Sequence, residues 1–178
     1  DMVDDLTEAI KTLVVGDPLD EGTDVSALIS HAERDRVLAW VREAEADGAR
    51  VTTGGELSAD GVLRPTLVVE ARPDMKICSQ EVFGPVVAVT TYEDFDEALR
   101  LANDTQYGLQ AGVFTRNLGT ALKAAHNLDF GGVLINEVPT WRTEQQPYGG
   151  LRDSGNTREG PAWAVREMTE ERLVVLSP

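Results

Sequence analysis

Apolar residues along this chain alternate between helical and strand spacing. Leu6, Ile10, Leu13 and Val14 share one helical face, which predicts an amphipathic helix stopped by Gly16-Asp17-Pro18. A polar loop follows through Asp24. Ser26 is then placed to cap a second helix, whose stripe is Leu28, Ile29, Ala32, Val37, Leu38, Val41 and Ala44, up to Gly48. Val51-Thr52-Thr53 reads as a short strand ended by Gly54-Gly55, and Val62 to Val69, interrupted by Pro65, as an edge strand or two short ones. Val86 to Tyr92 is a strand and Asp94 opens a helix bearing Phe95, Ala98, Leu99 and Ala102. Ala111 to Thr115 is a strand, Asn117 caps a helix, Gly131-Gly132 breaks it, and Val133-Leu134-Ile135 is wholly apolar. Beyond Asn136 the pattern loosens until a helix near Pro161 to Met168 and a terminal strand, Arg172 to Leu176. Repeated strand–helix alternation with apolar strands predicts an α/β fold, a mostly parallel sheet covered by helices with a C-terminal edge strand.

The composition narrows the partners. The chain has 178 residues, enough for a genuine core, and carries 31 acidic against 16 basic residues, a formal charge of −15. Such a surface repels a polyanion, which argues against nucleic acid. The acids are dispersed, as on a solvated surface, and Lys11, Lys76 and Lys123 are the only lysines; this balance hints at a salt-rich source and equally fits a high-GC genome. No apolar run approaches the roughly 20 residues that span a bilayer, so no membrane partner is expected. The single cysteine, Cys78, excludes an intrachain disulfide and points to a reducing, cytoplasmic interior.

Candidate chemistry centres on Glu81-Val82-Phe83-Gly84-Pro85-Val86, where a carboxylate and a ring stand on a sharp turn at the mouth of a strand. The alternative is a surface turn with a buried Phe. Cys78 reads as structural, because neither His31 nor His126 is tied to it and Lys76 faces it only if that stretch is extended. The two histidines lack metal-ligand spacing, and Asp4-Asp5, Glu43 with Glu45, and Glu170-Glu171 read as solvated charge.

The segment Glu81 to Val86 resembles the x-E-x-F-G-P-V stretch of the aldehyde dehydrogenase superfamily. Further blocks resemble the family in its own order: Val15-Gly16-Asp17-Pro18, Tyr107-Gly108-Leu109-Gln110-Ala111-Gly112-Val113-Phe114-Thr115, Gly132 to Asn136, Pro147-Tyr148-Gly149-Gly150 and Ser154-Gly155. Two places depart from it, Ala27-Leu28-Ile29-Ser30, where a Gly-Pro-Leu-Ile-like run is usual, and Thr157, which replaces a glycine. The resemblance implies NAD or NADP as cofactor, with Glu81 on the nicotinamide ribose and Phe83 against the nicotinamide. It implies oxidation of an aldehyde to a carboxylic acid through a Cys thioester in a complete enzyme. The family's Cys, Glu base and oxyanion Asn lie upstream of the first matching block, as does its dinucleotide-binding domain, and no G-x-G-x-x-G loop occurs here. The chain thus reads as the C-terminal part of a catalytic domain, inactive alone and holding no catalytic residue. Residues 1–160 are expected to form the catalytic-domain segment and 161–178 a C-terminal helix with an oligomerisation-type strand. The alternative is a stand-alone, non-catalytic module that self-associates or docks. Trp141, Arg142 and Tyr148 fall where the family's loop lines the aldehyde entrance. There Trp141 would form an apolar wall and the planar fork of Arg142 would hold a carboxylate, phosphate or phosphonate, unless it pairs with Glu144 or another acid. The terminal strand implies a homo-oligomer, against an edge strand within its own sheet.

Overall fold

Hydrophobic burial organises the chain, seen in a computed structural model that describes residues 2–178, into two units, the first running to Thr91 and the second from Tyr92 to Pro178. The first unit begins with α1 (Met2–Lys11) and α2 (His31–Ala46). Helix α2 starts four residues later than Ser26 would place it. Ser30 is the cap, extended at φ −155, with its hydroxyl accepting from the Glu33 amide at 3.2 Å. Ile29 and Ala32, counted in the apolar stripe from spacing alone, are consequently exposed, because the extended cap turns the chain before the helical period begins. The buried face is Val37, Leu38, Val41 and Ala44.

That face packs on a sheet of β1 (Arg50–Thr53), β2 (Thr66–Val69) and β3 (Val86–Val89). β2 is central, antiparallel to β1 and parallel to β3, with Thr66 beside Val86 and Val69 beside Val89. Every β2 residue is buried, so the stretch after Pro65 is no edge; the proline lies just before the strand, where no ladder donor is needed. Each fully buried Val or Leu here contributes about 1.5–3 kcal/mol over an exposed one. Buried Thr66 is satisfied on both sides, donating to the Arg64 carbonyl at 2.8 Å and accepting from the Gly55 amide at 2.9 Å. Between β2 and β3, residues Lys76–Ser79 form the single helical turn α3.

The second unit pairs β4 (Gln110–Val113) in parallel with β5 (Gly132–Ile135), Gln110 opposite Gly132 and Val113 opposite Ile135. Helices α4 (Phe95–Asn103) and α5 (Leu118–Asn127) supply Leu99 and Ala124, which with Leu128 form a core lined by Phe95, Ala111, Val113 and Val133. Asp94 and Asn117 cap these helices through the amides of Glu97 and Thr120. A 3₁₀ turn (Arg152–Ser154) and α6 (Pro161–Glu167) complete the unit. No strand forms at Arg172 to Leu176, contrary to the apolar pattern: Leu173 and Leu176 are each 89% exposed. A strand exists only through a hydrogen-bonded neighbour, and among the described residues the segment has none. Among the described residues, no helix is long and apolar enough to cross a membrane.

Candidate functional site

The Glu81–Pro85 turn is built by alternation in and out of the core. Val82 points inward and packs with Leu28, Leu57 and Val86 against Val37, Leu38 and Leu63. Glu81 and Phe83, on either side, point outward. Phe83 is 75% exposed and its backbone is left-handed at φ +47, a conformation that costs a non-glycine residue about 1–3 kcal/mol and persists only where the surroundings impose it. Glycine at 84 permits that turn to lie on α2, since a Cβ there would approach both Val37 methyls at 3.1 Å. The Glu81 carboxylate has no hydrogen-bond or ion-pair partner among the described residues. A free carboxylate beside an outward ring is therefore the turn's chemical content.

Arg36, on α2, holds this turn and was not found from the sequence. Its Nη2 donates to the Val82 carbonyl at 2.8 Å, its Nε donates to Glu33 at 2.9 Å, and its guanidinium lies 4.4 Å over the Trp40 ring. Helical spacing makes Glu33 and Trp40 readable as neighbours of Arg36; the Val82 contact, 46 residues along the chain, is not.

Cys78 is not activated. Partial burial pushes its thiol above the ordinary value, the negative charge of Asp74 adds to that, and a hydrogen bond with Thr90 opposes it. The nearby cation is engaged elsewhere, with Lys76 Nζ 2.7 Å from a Glu43 carboxylate oxygen. Cys78 packs against the core beside Met75 and Ile77.

In the second unit a cleft of about 550 Å³ is lined by Gln110, residues 131–137, Trp141, Gln146 and Pro147. Its floor is β5. Gly131, at the start of that floor, admits no side chain, because a Cβ would overlap the Gly149 carbonyl oxygen. This close approach is what the Gly149-Gly150 loop requires of its neighbour. Gln110 Nε2 donates to the Pro139 carbonyl and reaches that of Trp141 at 3.4 Å, tying the Trp141 loop to β4. Of the predicted mouth residues, Trp141 lines the cleft. Arg142 and Tyr148 instead meet each other, the guanidinium 4.3 Å from the ring centroid, and Arg142 Nη1 lies 3.2 Å from a Glu159 carboxylate oxygen. The acid that pairs with Arg142 is thus Glu159, brought across by the backbone bridge between Tyr148 and Glu159, rather than its sequence neighbour Glu144.

Arg152 is a second missed residue. Its guanidinium donates to the carbonyls of Asn103, Tyr107 and Asp129 and pairs with the Asp129 carboxylate at 3.4 Å. It closes the loops that lead into β4 and β5. Nothing in local spacing announces it.

Comparison with known proteins places nearly the whole chain in one family. The family profile described as "Aldehyde dehydrogenase family" matches residues 1–174. The chain is similar to a 3-sulfolactaldehyde dehydrogenase of Priestia aryabhattai, 46% identical over 175 residues, covering 98% of this chain and 36% of that protein. Among solved structures it is similar to aldehyde dehydrogenase 21 of Physcomitrella patens in complex with the reaction product succinate. That match has a TM-score of 0.90 and 38% identity, over 94% of this chain and 35% of the other. A glyceraldehyde-3-phosphate dehydrogenase of Methanocaldococcus jannaschii complexed with NADP matches with a TM-score of 0.87 and 36% identity, over 93% and 36%. The chain spans a little over a third of the length of these relatives. With the family profile matching nearly its whole length and close relatives covering as much of it, the chain belongs to the aldehyde dehydrogenase family.

Proposed function

We propose that this chain is the part of an NAD(P)-dependent aldehyde dehydrogenase that presents the cofactor turn and one wall of the substrate mouth. The observation that carries the reading is the unpartnered Glu81 carboxylate next to the outward ring of Phe83. A ribose diol needs two acceptor oxygens with no competing donor, and Glu81 offers both. A flat heteroaromatic ring needs an exposed apolar face, and Phe83 offers one. When bound, the nicotinamide supplies the acceptor for the hydride leaving the aldehyde carbon. The chain's own part is to orient: Glu81 fixes the ribose in two directions, and Phe83, held by its left-handed backbone, limits where the adjoining ring sits.

On the substrate side, Trp141 forms an apolar wall of the cleft. Arg142 and Tyr148 form a cationic, stacked pair suited to an anionic aldehyde. The three proteins compared above have in their names a sulfonated aldehyde, a dicarboxylate product and a phosphorylated aldehyde, which supports that class. Glu159 is a built-in competitor that an anion must displace or share.

The chain alone does not carry out the oxidation, since its one thiol is held protonated rather than activated. The exposed apolar stretch Leu173 to Leu176 is proposed to gain its strand partner from a second copy, making the assembled enzyme a homo-oligomer. The isolated chain, mixed with NAD or NADP and an anionic aldehyde, is expected to give no reduced cofactor and no saturable cofactor binding at micromolar concentration. A complete polypeptide that adds a nucleophilic Cys and a dinucleotide-binding domain gives both. Turnover by the isolated chain would overturn this reading.

A further inference from the structure

We infer that Arg36 is a positioning residue for the cofactor turn, acting on Glu81 and Phe83 through the Val82 carbonyl that its guanidinium holds. The inference rests on the reading of Glu81 as the ribose anchor. Three restraints fix the guanidinium. Both Nε and Nη2 reach one Glu33 oxygen, at 2.9 and 2.8 Å, and the plane lies 4.4 Å over Trp40. So oriented, Nη2 donates to the Val82 carbonyl at 2.8 Å. That carbonyl belongs to the peptide plane joining Val82 to Phe83. Rotation of the plane about the N–Cα bond of Phe83 is the φ angle that stands at +47. A donor anchored on a rigid helix therefore holds the one torsion that local sterics oppose. Gly84 lies against Val37 of the same helix and the Val82 side chain packs on its core, so the turn is seated on both sides of Phe83. Arg36 is removed from the cofactor-facing groups by one peptide. Its effect is accordingly on where Glu81 and Phe83 stand, with no bond of its own to the reacting atoms.

The test uses the complete dehydrogenase containing this chain. Arg36→Met keeps the apolar stem over Trp40 and deletes the donor. It is expected to raise about tenfold the cofactor Kd, read by calorimetric titration without aldehyde, and with it the cofactor KM, as loss of one charge-assisted hydrogen bond implies, with kcat at saturating cofactor and the aldehyde KM changed less than about twofold. Arg36→Lys, which still donates, recovers most of the affinity. In a Glu81→Gln background, Arg36→Met adds little, because the group it positions is already impaired. If Glu81→Gln raises the cofactor KM while Arg36→Met does not, or if the two losses simply multiply, the positioning role is refuted and the anchor stands. If Glu81→Gln leaves the cofactor KM unchanged, the anchor itself fails. Should Arg36→Met not fold, Glu33→Gln loosens the guanidinium from its exposed side. A cofactor KM raised about threefold supports the role, and an unchanged one overturns it.

Discussion

Replacing Glu81 by Gln removes one acceptor oxygen and a negative charge while preserving the size of the side chain. Because the carboxylate is exposed and has no partner among the described residues, the folded state loses nothing by the change. Stability should stay within about 0.5 kcal/mol, a shift in Tm of about 2 °C or less. Binding is another matter. A carboxylate accepting from both hydroxyls of a ribose makes two charge-assisted hydrogen bonds, each contributing about 1.5–3 kcal/mol, whereas Gln keeps one neutral acceptor with about 0.5–1.5 kcal/mol. The site is open to solvent, so the two charged bonds take the low end, about 3 kcal/mol together, and the net loss is about 1.5–2.5 kcal/mol. At 1.4 kcal/mol per decade this is a fall of roughly 10- to 60-fold in kcat/KM for the cofactor. The assay is steady-state kinetics of the complete enzyme with cofactor and aldehyde varied in turn, alongside thermal unfolding. Glu81→Asp, which keeps the charge but retracts it by one methylene, should fall between. A cofactor kcat/KM within twofold of the parent would refute the placement of the ribose at Glu81. A Tm lowered by many degrees would refute the claim that the carboxylate has no structural task.

Other outcomes follow from the same geometry. Cys78→Ser should leave activity in the complete enzyme unchanged, and loss of turnover would restore the thiol as a nucleophile. Because burial raises the Cys78 thiol, the folded chain keeps a proton that the unfolded chain releases. The associated stability is full below the unfolded thiol pKa of about 8.5 and is lost as pH rises through the higher folded value. Denaturant unfolding at pH 7 and pH 10 should therefore show a smaller alkaline loss in Cys78→Ser. Gly131→Ala forces a methyl into the Gly149 carbonyl and should destabilise by about 3 kcal/mol or more, read from the unfolding midpoint. Arg142→Ala should raise KM for anionic aldehydes only, while Glu159→Gln, which frees the guanidinium, should lower it. Equal effects on neutral aldehydes would remove Arg142 from substrate recognition.

Local periodicity and turn chemistry announced most of the elements. Asp94 and Asn117 were readable as caps because a capping side chain reaches only three residues ahead. Ser30 was missed in favour of Ser26 because both precede apolar residues, and only packing selects which begins the buried face of α2. The order of the strands, with β2 central and Pro65 just outside it, depends on pairing between distant segments. The Glu81–Val86 stretch by itself announced a carboxylate and a ring on one sharp turn, since residue type and turn placement lie within a few residues. Tertiary structure decided how these groups are held: Arg36 grips Val82, Glu159 meets Arg142 and Arg152 ties the loops before β4 and β5, each across a separation that no local pattern spans. The terminal segment marks the converse. Arg172 to Leu176 has a strand's composition, but backbone pairing is a property of two segments, and the described residues supply one of them.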